Sequence, residues 1–382
     1  MNLKSWAMVS LCLLAFACKK ESGKKSSPAP APAVSENETG KVDPVIDPSK
    51  TGQGEDSVGN LPQSCRAAID CSQALPDPGP AVGFKGQFTE AFVKLGAVHR
   101  GRDSVINQGQ DANLIAKFAY GVGLDKDAKD EQVDIYMQMG CTDGWKKLGT
   151  TRTSKEPTTD QTLKVDGVED TGGFVMVTLS SLGVKDLAVG RYRFVLFLRA
   201  NNEHTELFVE VLPKKNAIVL TDIDGTLTAF EEAAATEILF KSHPEAHAGA
   251  ADMMRSFYHR GYNIFYLTAR PAFLMERTRM WLNVRGFPPG IIHTTNLVQG
   301  AIGEAAAQFK VDELALLKKN TGIIPTYAFG NKPSDVKAFG GGGVAKDHSW
   351  FYKITGDTTM AQAHDDYRTL IPMAQAAPSF CP

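Results

Sequence analysis

Two carboxylates directly follow an apolar run in the second half of the chain. Asp222 and Asp224 come after residues 217–220, Ala-Ile-Val-Leu, a sequence typical of a buried strand. Side chains alternate along a strand, so both carboxylates leave the same face. Gly225 permits a sharp turn and Thr226 can cap the next segment. One carboxylate would attack phosphorus, and the second would transfer the proton of the leaving group. Together they would perform phosphoryl transfer through an aspartyl-phosphate. The plainer interpretation is a strand that ends in an acidic turn.

Polar side chains recur where two later strands end. Thr268 closes the segment Asn-Ile-Phe-Tyr-Leu, where its hydroxyl and nearby backbone N–H groups, such as that of Ala269, can meet a phosphate. Asn331 and Asp335 follow Thr-Tyr-Ala-Phe and offer the hard oxygen ligands that Mg²⁺ prefers. Taken singly, these residues are equally explained as strand caps and turn formers.

A lysine between these motifs can supply a fixed cation. Lys310 lies on the predicted helix 301–319, before the fourth strand, and would offset charge on Asp222 and on the phosphoryl group. Lys318 and Lys319 compete for this role, and a lysine is more often solvated surface. Beyond Pro213, strands alternate with helices, which predicts a parallel sheet with helices on both faces, a Rossmann-like α/β fold.

In this order the four motifs resemble those of the haloacid dehalogenase superfamily of phosphatases. More narrowly, Asp-Ile-Asp-Gly-Thr-Leu-Thr, Tyr-Leu-Thr-Ala-Arg-Pro, Phe-Lys and Phe-Gly-Asn-Lys-Pro-Ser-Asp-Val resemble the catalytic domain of lipins, the Mg²⁺-dependent phosphatidate phosphatases. The resemblance covers about residues 214–355. Related lipid-transfer proteins share this domain and often lack the full catalytic set. Lipins also pair it with an immunoglobulin-like fold.

The resemblance implies a role for each catalytic residue. Asp222 would be the nucleophile and a metal ligand. Asp224 would protonate the leaving oxygen and then activate water, while its backbone carbonyl binds the metal. Lys310 would stabilise the charge that develops.

Binding roles follow in the same way. Thr226 would shape the turn, and Thr268 with the neighbouring Ala269 would hold the phosphate. Asn331, Asp335 or both would complete a Mg²⁺ site.

These expectations define a leading function and its competitors. The leading hypothesis is a Mg²⁺-dependent phosphomonoesterase, with conversion of phosphatidate to diacylglycerol as the implied reaction. Short connections at residues 229–262 and 271–309 leave no room for a large cap, so a lipid, a phosphoprotein or a soluble phosphate ester would all fit an open site. The alternative is a binding module that holds phospholipid head groups without hydrolysis. The third hypothesis is a structural protein of the cell envelope in which the β-sandwich is the functional domain.

The N-terminus has the pattern of an export signal. Lys4 is followed by a largely apolar stretch, 6–17, and then by Cys18, which resembles the lipidated cysteine of a bacterial lipoprotein. The expectation is a signal peptide over residues 1–17, a lipid anchor on Cys18 and a place in the cell envelope. Lys19, rather than Asp, favours the outer membrane. Cleavage without lipidation is the alternative.

Composition sets further limits on the chain. Residues 18–60 are rich in Lys, Ser, Pro and Ala, too polar to form a core, and predict a disordered tether. The 41 basic and 43 acidic residues give a net charge of −2, which does not indicate nucleic-acid binding. Four cysteines lie beyond the tether, and in an exported protein they predict two disulfides. Three pairings are possible. The one favoured joins Cys65 to Cys71, which are close in sequence, and leaves Cys141 with Cys381.

The segment 61–213 is predicted to be a β-sandwich of immunoglobulin-like type. Val133, Ile135 and Met137 alternate with polar residues, and further short strands follow between turn signals. Tyr192 follows Val-Gly-Arg as in a tyrosine corner. His99 and His204 are expected at the surface, and no catalytic group is expected in this domain. The second domain is predicted to span 214–382 and to end in a helix over residues 360–377.

Overall fold

The structure, a computed structural model, describes residues 73–86, 91–140, 143–155, 163–229, 243–355 and 362–381. The predicted signal peptide, tether and lipidation at Cys18 lie outside these residues, as do Cys65, Cys71 and Cys141. Cys381 is disulfide-bonded, and its pairing with Cys141 stays a prediction. Among the described residues, no helix combines the length and the apolarity needed to cross a membrane.

Two facing sheets form the first domain and confirm the predicted sandwich. The smaller sheet has the order β1-β3-β10, and the larger has the order β2-β12-β11-β6-β7. The strands of the smaller sheet are β1 (Arg100–Arg102), β3 (Asn113–Lys117) and β10 (Phe174–Thr178). Those of the larger are β2 (Ser104–Asn107), β6 (Gln132–Met139), β7 (Lys146–Arg152), β11 (Gly190–Leu198) and β12 (Glu203–Leu212). Two short hairpins accompany them, β4 (Ala119–Tyr120) with β5 (Lys126–Asp127) and β8 (Lys164–Val165) with β9 (Val168–Glu169).

The alternating pattern places the apolar side chains of both sheets in one core. Val133 and Ile135 of β6 are buried against Phe194 and Leu196 of β11. The tyrosine corner is present, because the Tyr192 hydroxyl donates to the carbonyl of Ala188 at 3.0 Å.

The expectation of surface histidines is wrong for His99. Its ring is buried between Phe118 and Tyr120, 5.0 Å from each ring centroid, and its Nε2 lies 3.4 Å from a Glu203 oxygen. These partners come from distant strands, so the local sequence did not reveal them. His204 is half-buried beside Phe197.

The second domain has a single parallel sheet of six strands in the order β15-β14-β13-β16-β17-β18. The strands are β13 (Ile218–Thr221), β14 (Asn263–Pro271), β15 (Gly290–Thr295), β16 (Tyr327–Gly330), β17 (Ser349–Tyr352) and β18 (Gln362–His364). The helices are α1 (Ala250–His259), α2 (Met275–Val284), α3 (Gly303–Thr321), α4 (Pro333–Gly341) and α5 (Ile371–Ala376). This is the doubly wound arrangement that the alternation predicted.

The predicted C-terminal helix is partly wrong. Residues 362–364 pair in parallel with β17 as an edge strand, and only residues 371–376 are α-helical. A three-residue edge strand held by backbone hydrogen bonds has no periodicity that a sequence would display. The predicted absence of a large cap stays a prediction, since residues 230–242 lie outside the described part of the chain.

Each face of this sheet is covered by its own apolar cluster. On one face, Met253 and Phe257 of α1 pack with Trp281 of α2. On the other, Leu314 and Leu317 of α3 pack with Phe265 of β14. Two sandwich residues, Val105 and Leu212, belong to this second cluster, so the sandwich and the sheet share a core.

Buried charges reinforce the contact between the domains. Arg102 donates to both oxygens of Glu313 at 2.7 Å, and Asp103 accepts from Arg279 at 2.8 Å. Asp103 also accepts the backbone N–H of Ile292 on β15 at 3.0 Å. Strand β1 and the residue after it therefore hold α2, α3 and β15 in place.

Candidate active site at the carboxyl edge of the parallel sheet

The predicted site lies where the strand order reverses. Strand β13 has β14 on one side and β16 on the other, and the crossovers leave in opposite directions from this point. In open α/β sheets such a reversal opens a crevice beyond the carboxyl ends of the strands, and ligands bind there. Asp222 follows β13 and Asn331 follows β16, so the two residues flank the crevice.

Asp222 is buried and held from two sides. Its Oδ1 accepts from Lys310 Nζ at 2.7 Å, and its Oδ2 accepts from the Thr226 hydroxyl at 3.2 Å. Gly225 has a φ of 72°, the left-handed conformation that lets the chain turn back and bring Thr226 beneath the carboxylate. Burial raises the pKa of Asp222 to about 7; Lys310 opposes this rise, and the carboxylates of Asp335 and Asp224 add to it. Burial therefore outweighs the attraction of Lys310 for the ionised form of Asp222.

Lys310 is a buried cation of the site, at the position that the sequence predicts. Only 3% of its surface is exposed, and Nζ donates to Asp222 at 2.7 Å and to Asp335 Oδ1 at 2.6 Å. Burial lowers its pKa, but the two carboxylates raise it further, so that the net shift is upward and the ammonium stays charged. The competing lysines, Lys318 and Lys319, are exposed at the far end of α3.

Asp224 is paired with an arginine to which the sequence analysis gave no role. Arg270 Nε lies 2.9 Å from Asp224 Oδ2, and Arg270 Nη2 lies 2.9 Å from Oδ1. The guanidinium is buried, and Thr278 of α2 accepts from its Nη1 at 3.0 Å. A two-pronged contact of this kind fixes both the position and the orientation of a carboxylate. Arg270 stands two residues after Thr268, so alternation along the strand places both side chains on the same face of the sheet. This alternation is the sequence signal that predicts a place for Arg270 in the site.

Thr268 lies next to this pair. Its hydroxyl donates to Asp224 Oδ2 at 3.1 Å and accepts the backbone N–H of Arg270 at 3.2 Å. Ala269 is half-exposed at the sheet edge, and its carbonyl accepts the N–H of Ala301 from the loop after β15. The predicted phosphate-binding strand end is thus built into the carboxylate network.

The two predicted metal ligands after β16 differ in their surroundings. Asp335 is fully buried; its Oδ1 accepts from Lys310, and its Oδ2 accepts the N–H groups of Asn331 and Lys332, both at 3.0 Å. Asn331 is half-exposed, and its Oδ1 lies 3.0 Å from the Thr226 hydroxyl, whose single proton it shares with Asp222. The arrangement favours Asn331 as the direct ligand, with Asp335 behind it orienting Lys310 and the loop.

Oxygen atoms are the donors that this site offers to a metal ion. Among the described residues, no three His, Cys, Asp or Glu side chains are grouped so as to hold a metal ion. Mg²⁺ takes one or two carboxylates and keeps several waters. Asp222 and Asn331 both contact the Thr226 hydroxyl and would be the side-chain ligands of such an ion.

Two aromatic side chains that the sequence analysis did not place at the site support the turn after β13. The hydroxyl of Tyr367, which was expected only in the core, donates to the carbonyl of Thr226 at 2.8 Å. His247 Nε2 lies 3.3 Å from the carbonyl of Gly225, and burial lowers the pKa of His247. Both contacts join residues far apart in sequence, so no local motif predicts them.

Comparison with known proteins identifies both domains. Residues 219–353 match the model described as PITM 1-3, LNS2 domain, and residues 97–211 match the model described as PITM 1-3, beta-sandwich domain. The chain carries an LNS2 domain behind a PITM-type β-sandwich. LNS2 stands for Lipin/Ned1/Smp2, which agrees with the lipin-like motifs, whereas the relation to phosphatases of the haloacid dehalogenase superfamily stays a prediction. The boundaries at residues 60 and 213 stay predictions.

Curated relatives of the chain are much longer proteins. Protein retinal degeneration B of Drosophila melanogaster is 25% identical over 271 residues, which are 70% of this chain and 19% of that protein. Membrane-associated phosphatidylinositol transfer protein 2 of Homo sapiens is 28% identical over 212 residues, 54% of this chain and 14% of that protein. The chain thus spans less than a fifth of the length of these relatives.

Solved structures resemble the chain only weakly. The deoxy-D-mannose-octulosonate 8-phosphate phosphatase of Haemophilus influenzae aligns with a TM-score of 0.31 and 15% identity, over 42% of this chain and 90% of the phosphatase. A likeness at this level bears on neither fold nor function.

Proposed function

We propose that the protein is a Mg²⁺-dependent phosphomonoesterase that acts through an aspartyl-phosphate on a phospholipid, with phosphatidate as the substrate. The observation that carries the proposal is Asp222, buried at the strand-order reversal between Lys310 and Thr226, with a second carboxylate two residues further on. A module that only binds phosphate needs no nucleophile. When bound, Mg²⁺ would neutralise charge on the phosphoryl oxygens and on Asp222.

The residues divide the chemistry between them. Asp222 attacks phosphorus while the ester bond breaks, and the leaving oxygen takes a proton from Asp224. Water then attacks the aspartyl-phosphate, Asp224 takes the proton of that water, and inorganic phosphate leaves. Lys310 stays charged beside Asp222 in both steps.

The bidentate contact of Arg270 with Asp224, the Arg270 clamp, restricts the first of these two reaction steps. Both Asp224 oxygens accept from Arg270, which suits the base role in the second step. To donate a proton in the first step, Asp224 must lose one of these contacts. The entering phosphate, as a competing anion, would draw the guanidinium away.

Membrane attachment is part of the proposal. Relatives whose names say that they are membrane-associated phosphatidylinositol transfer proteins favour a phospholipid over a soluble ester. A lipid anchor on Cys18 would place the site in the cell envelope, most readily at the outer membrane. The tether would then bring the open crevice to the bilayer surface.

A second candidate function is a module that binds the phospholipid head group without hydrolysis. The Arg270 clamp favours it, because an Asp224 that never releases Arg270 cannot protonate a leaving group. Relatives of the chain are named phosphatidylinositol transfer proteins, which also favours binding.

Phosphate release by the full chain separates the two functions. Phosphatidate in mixed micelles and a soluble aryl phosphate would be offered with Mg²⁺ or with a chelator. Asp222→Asn should abolish Mg²⁺-dependent release, and Asp312→Asn, an exposed carboxylate on α3, should leave it unchanged. Release that survives in Asp222→Asn would refute the aspartyl-phosphate. Binding of phosphatidate vesicles without release from either substrate would establish the second candidate.

A further inference from the structure

An apolar loop lies at the rim of the crevice. The rim loop, residues 296–302, follows β15 at the carboxyl edge of the sheet, next to β14, the strand that contains Thr268. Leu297 is 47% exposed and Ile302 is 78% exposed, the highest value among the large apolar side chains of the described residues. Single exposed apolar residues are common on protein surfaces, so the exposure needs further support before it indicates a role.

The rim loop is fixed to the predicted phosphate-binding strand end. The N–H of Ala301 donates to the carbonyl of Ala269 at 3.0 Å. Gly300 packs so closely that a Cβ there would lie 2.9 Å from the Ala269 oxygen and 3.0 Å from Pro271. The loop that carries the exposed side chains is therefore fixed next to Ala269, the residue after Thr268.

Ile302 also occupies a position that disfavours it. It is the N-cap of α3, with φ −132° and ψ 156°, and no side-chain hydrogen bond caps the helix. Ser, Thr, Asp and Asn are preferred there because their oxygens satisfy the free N–H groups of the first turn. An isoleucine at this position stabilises neither the helix nor the core, which points to a requirement outside the folded domain.

We infer that the rim loop inserts Leu297 and Ile302 into the interfacial region of a phospholipid bilayer and so presents the crevice to lipid phosphates. This inference rests on the proposed function, and it names the surface through which a lipid substrate is reached. Residues 294–303 contain no ionised side chain, and Glu304, the next residue, pairs with Lys337. Two side chains are far too few for a stable protein interface, which buries about 800 Å² on each partner. A few inserted apolar groups are sufficient to orient a protein that a second signal holds at the membrane.

Fluorescence quenching of the full chain tests the inserted position directly. Ile302→Trp would be compared with Ile324→Trp, a matched control that is 37% exposed and precedes β16 at the opposite edge of the sheet. Vesicles of phosphatidylcholine and phosphatidate would carry brominated acyl chains, and the unmodified chain would measure the background from the four native tryptophans. We expect brominated lipid to reduce the added fluorescence roughly twofold at position 302 and very little at 324. Equal quenching at the two positions would overturn the inference.

Turnover measurements test the inference independently of fluorescence quenching. The double variant Leu297→Asp with Ile302→Asp should hydrolyse phosphatidate in vesicles about tenfold more slowly, because two charges replace the inserted groups. Its hydrolysis of a soluble aryl phosphate and its unfolding midpoint should not fall. Ile324→Asp should change neither substrate. Equal losses on both substrates would refute a membrane role for the rim loop.

Two further outcomes keep the inference separate from the proposed function. If the unmodified chain hydrolyses neither substrate, the phosphatase proposal fails, while the quenching comparison still decides whether the rim loop enters the bilayer. If sedimentation without vesicles shows a dimer that Ile302→Asp dissociates, the rim loop binds a second copy, and the bilayer inference is wrong.

Discussion

Lys310 and Glu313 lie three residues apart on α3, and each is buried against a different part of the molecule. Lys310 contacts Asp222 at 2.7 Å in the crevice, whereas Glu313 accepts from Arg102 of the sandwich at 2.7 Å. Glu313 also lies 2.5 Å from His293 Nδ1, and the other nitrogen of His293 is 2.9 Å from the carbonyl of Asp103. Residues at this spacing share one face of a helix. The sandwich therefore holds the helix that positions the cation of the site.

This relationship predicts that Glu313→Gln impairs the site from a distance. Burial raises the pKa of Glu313, but Arg102 and His293 lower it further, to about 2, so the wild-type group is a carboxylate. The neutral amide would leave the Arg102 guanidinium without its counter-charge, weaken the contact with His293 and cost roughly 1–3 kcal/mol of unfolding free energy. We expect kcat to fall about tenfold with little change in KM, because the displaced helix shifts Lys310 rather than the substrate contacts.

The matched control for this prediction is Glu304→Gln on the same helix. Glu304 is exposed and pairs with Lys337 at the surface, where ion pairs contribute little. Steady-state kinetics and denaturant unfolding of both variants would be measured. A Glu313→Gln variant that is destabilised but keeps its kcat would show that the contact only joins the domains.

Removal of the buried cation should affect stability as well as turnover. Lys310→Met leaves Asp222 and Asp335 buried without a counter-charge, which we expect to cost roughly 3–5 kcal/mol. Turnover should fall by at least about a hundredfold. Added Mg²⁺ should restore part of the lost stability. Lys318→Met, which removes an exposed lysine of the same helix, should change neither quantity. Full activity in Lys310→Met would exclude a role for this cation in the reaction.

The sequence predicted the site where the chemistry follows local rules. Asp222, Thr268, Lys310, Asn331 and Asp335 were predicted from strand ends and spacing, and the parallel sheet brings them to one crevice. Residues whose partners are remote in sequence were not predicted. The pairing of Arg270 with Asp224, the contact of Tyr367 with the turn and the burial of His99 depend on segments more than eighteen residues away. Strand β18 was missed because edge pairing uses backbone groups and leaves little trace in side-chain pattern.

The raised pKa of Asp222 predicts how pH changes stability in the absence of metal. An ordinary aspartate titrates near 3.8, and in the folded protein the value rises to about 7. The folded state therefore holds a proton that the unfolded chain releases between these values. Its contribution to stability is complete below about pH 4 and is lost as the pH rises to 7, by an amount on the order of 1–4 kcal/mol.

Asp222→Asn isolates this contribution. Asn carries no charge, so the variant should unfold at a higher temperature than the wild type at pH 8 without metal and at a similar temperature near pH 4. Added Mg²⁺ should stabilise the wild type at pH 8 more than the variant. Thermal unfolding at the two pH values, with chelator and with Mg²⁺, would be the measurement. A difference between the proteins that is the same at pH 4 and pH 8 would contradict a raised pKa at this position.

The tyrosine corner should contribute stability without touching the chemistry. The buried Tyr192 hydroxyl donates to Ala188 at 3.0 Å, and Tyr192→Phe removes this bond while keeping the ring in the sandwich core. The loss should be about 1 kcal/mol, with one buried carbonyl left less well satisfied. Denaturant unfolding would measure it, with Tyr352→Phe as a comparison outside the sandwich. Phosphate release per folded molecule should stay at the wild-type level, since Tyr192 lies on β11 and α3 is held by β1. If turnover falls while the fold is intact, the sandwich influences the site through β11 as well as through Arg102.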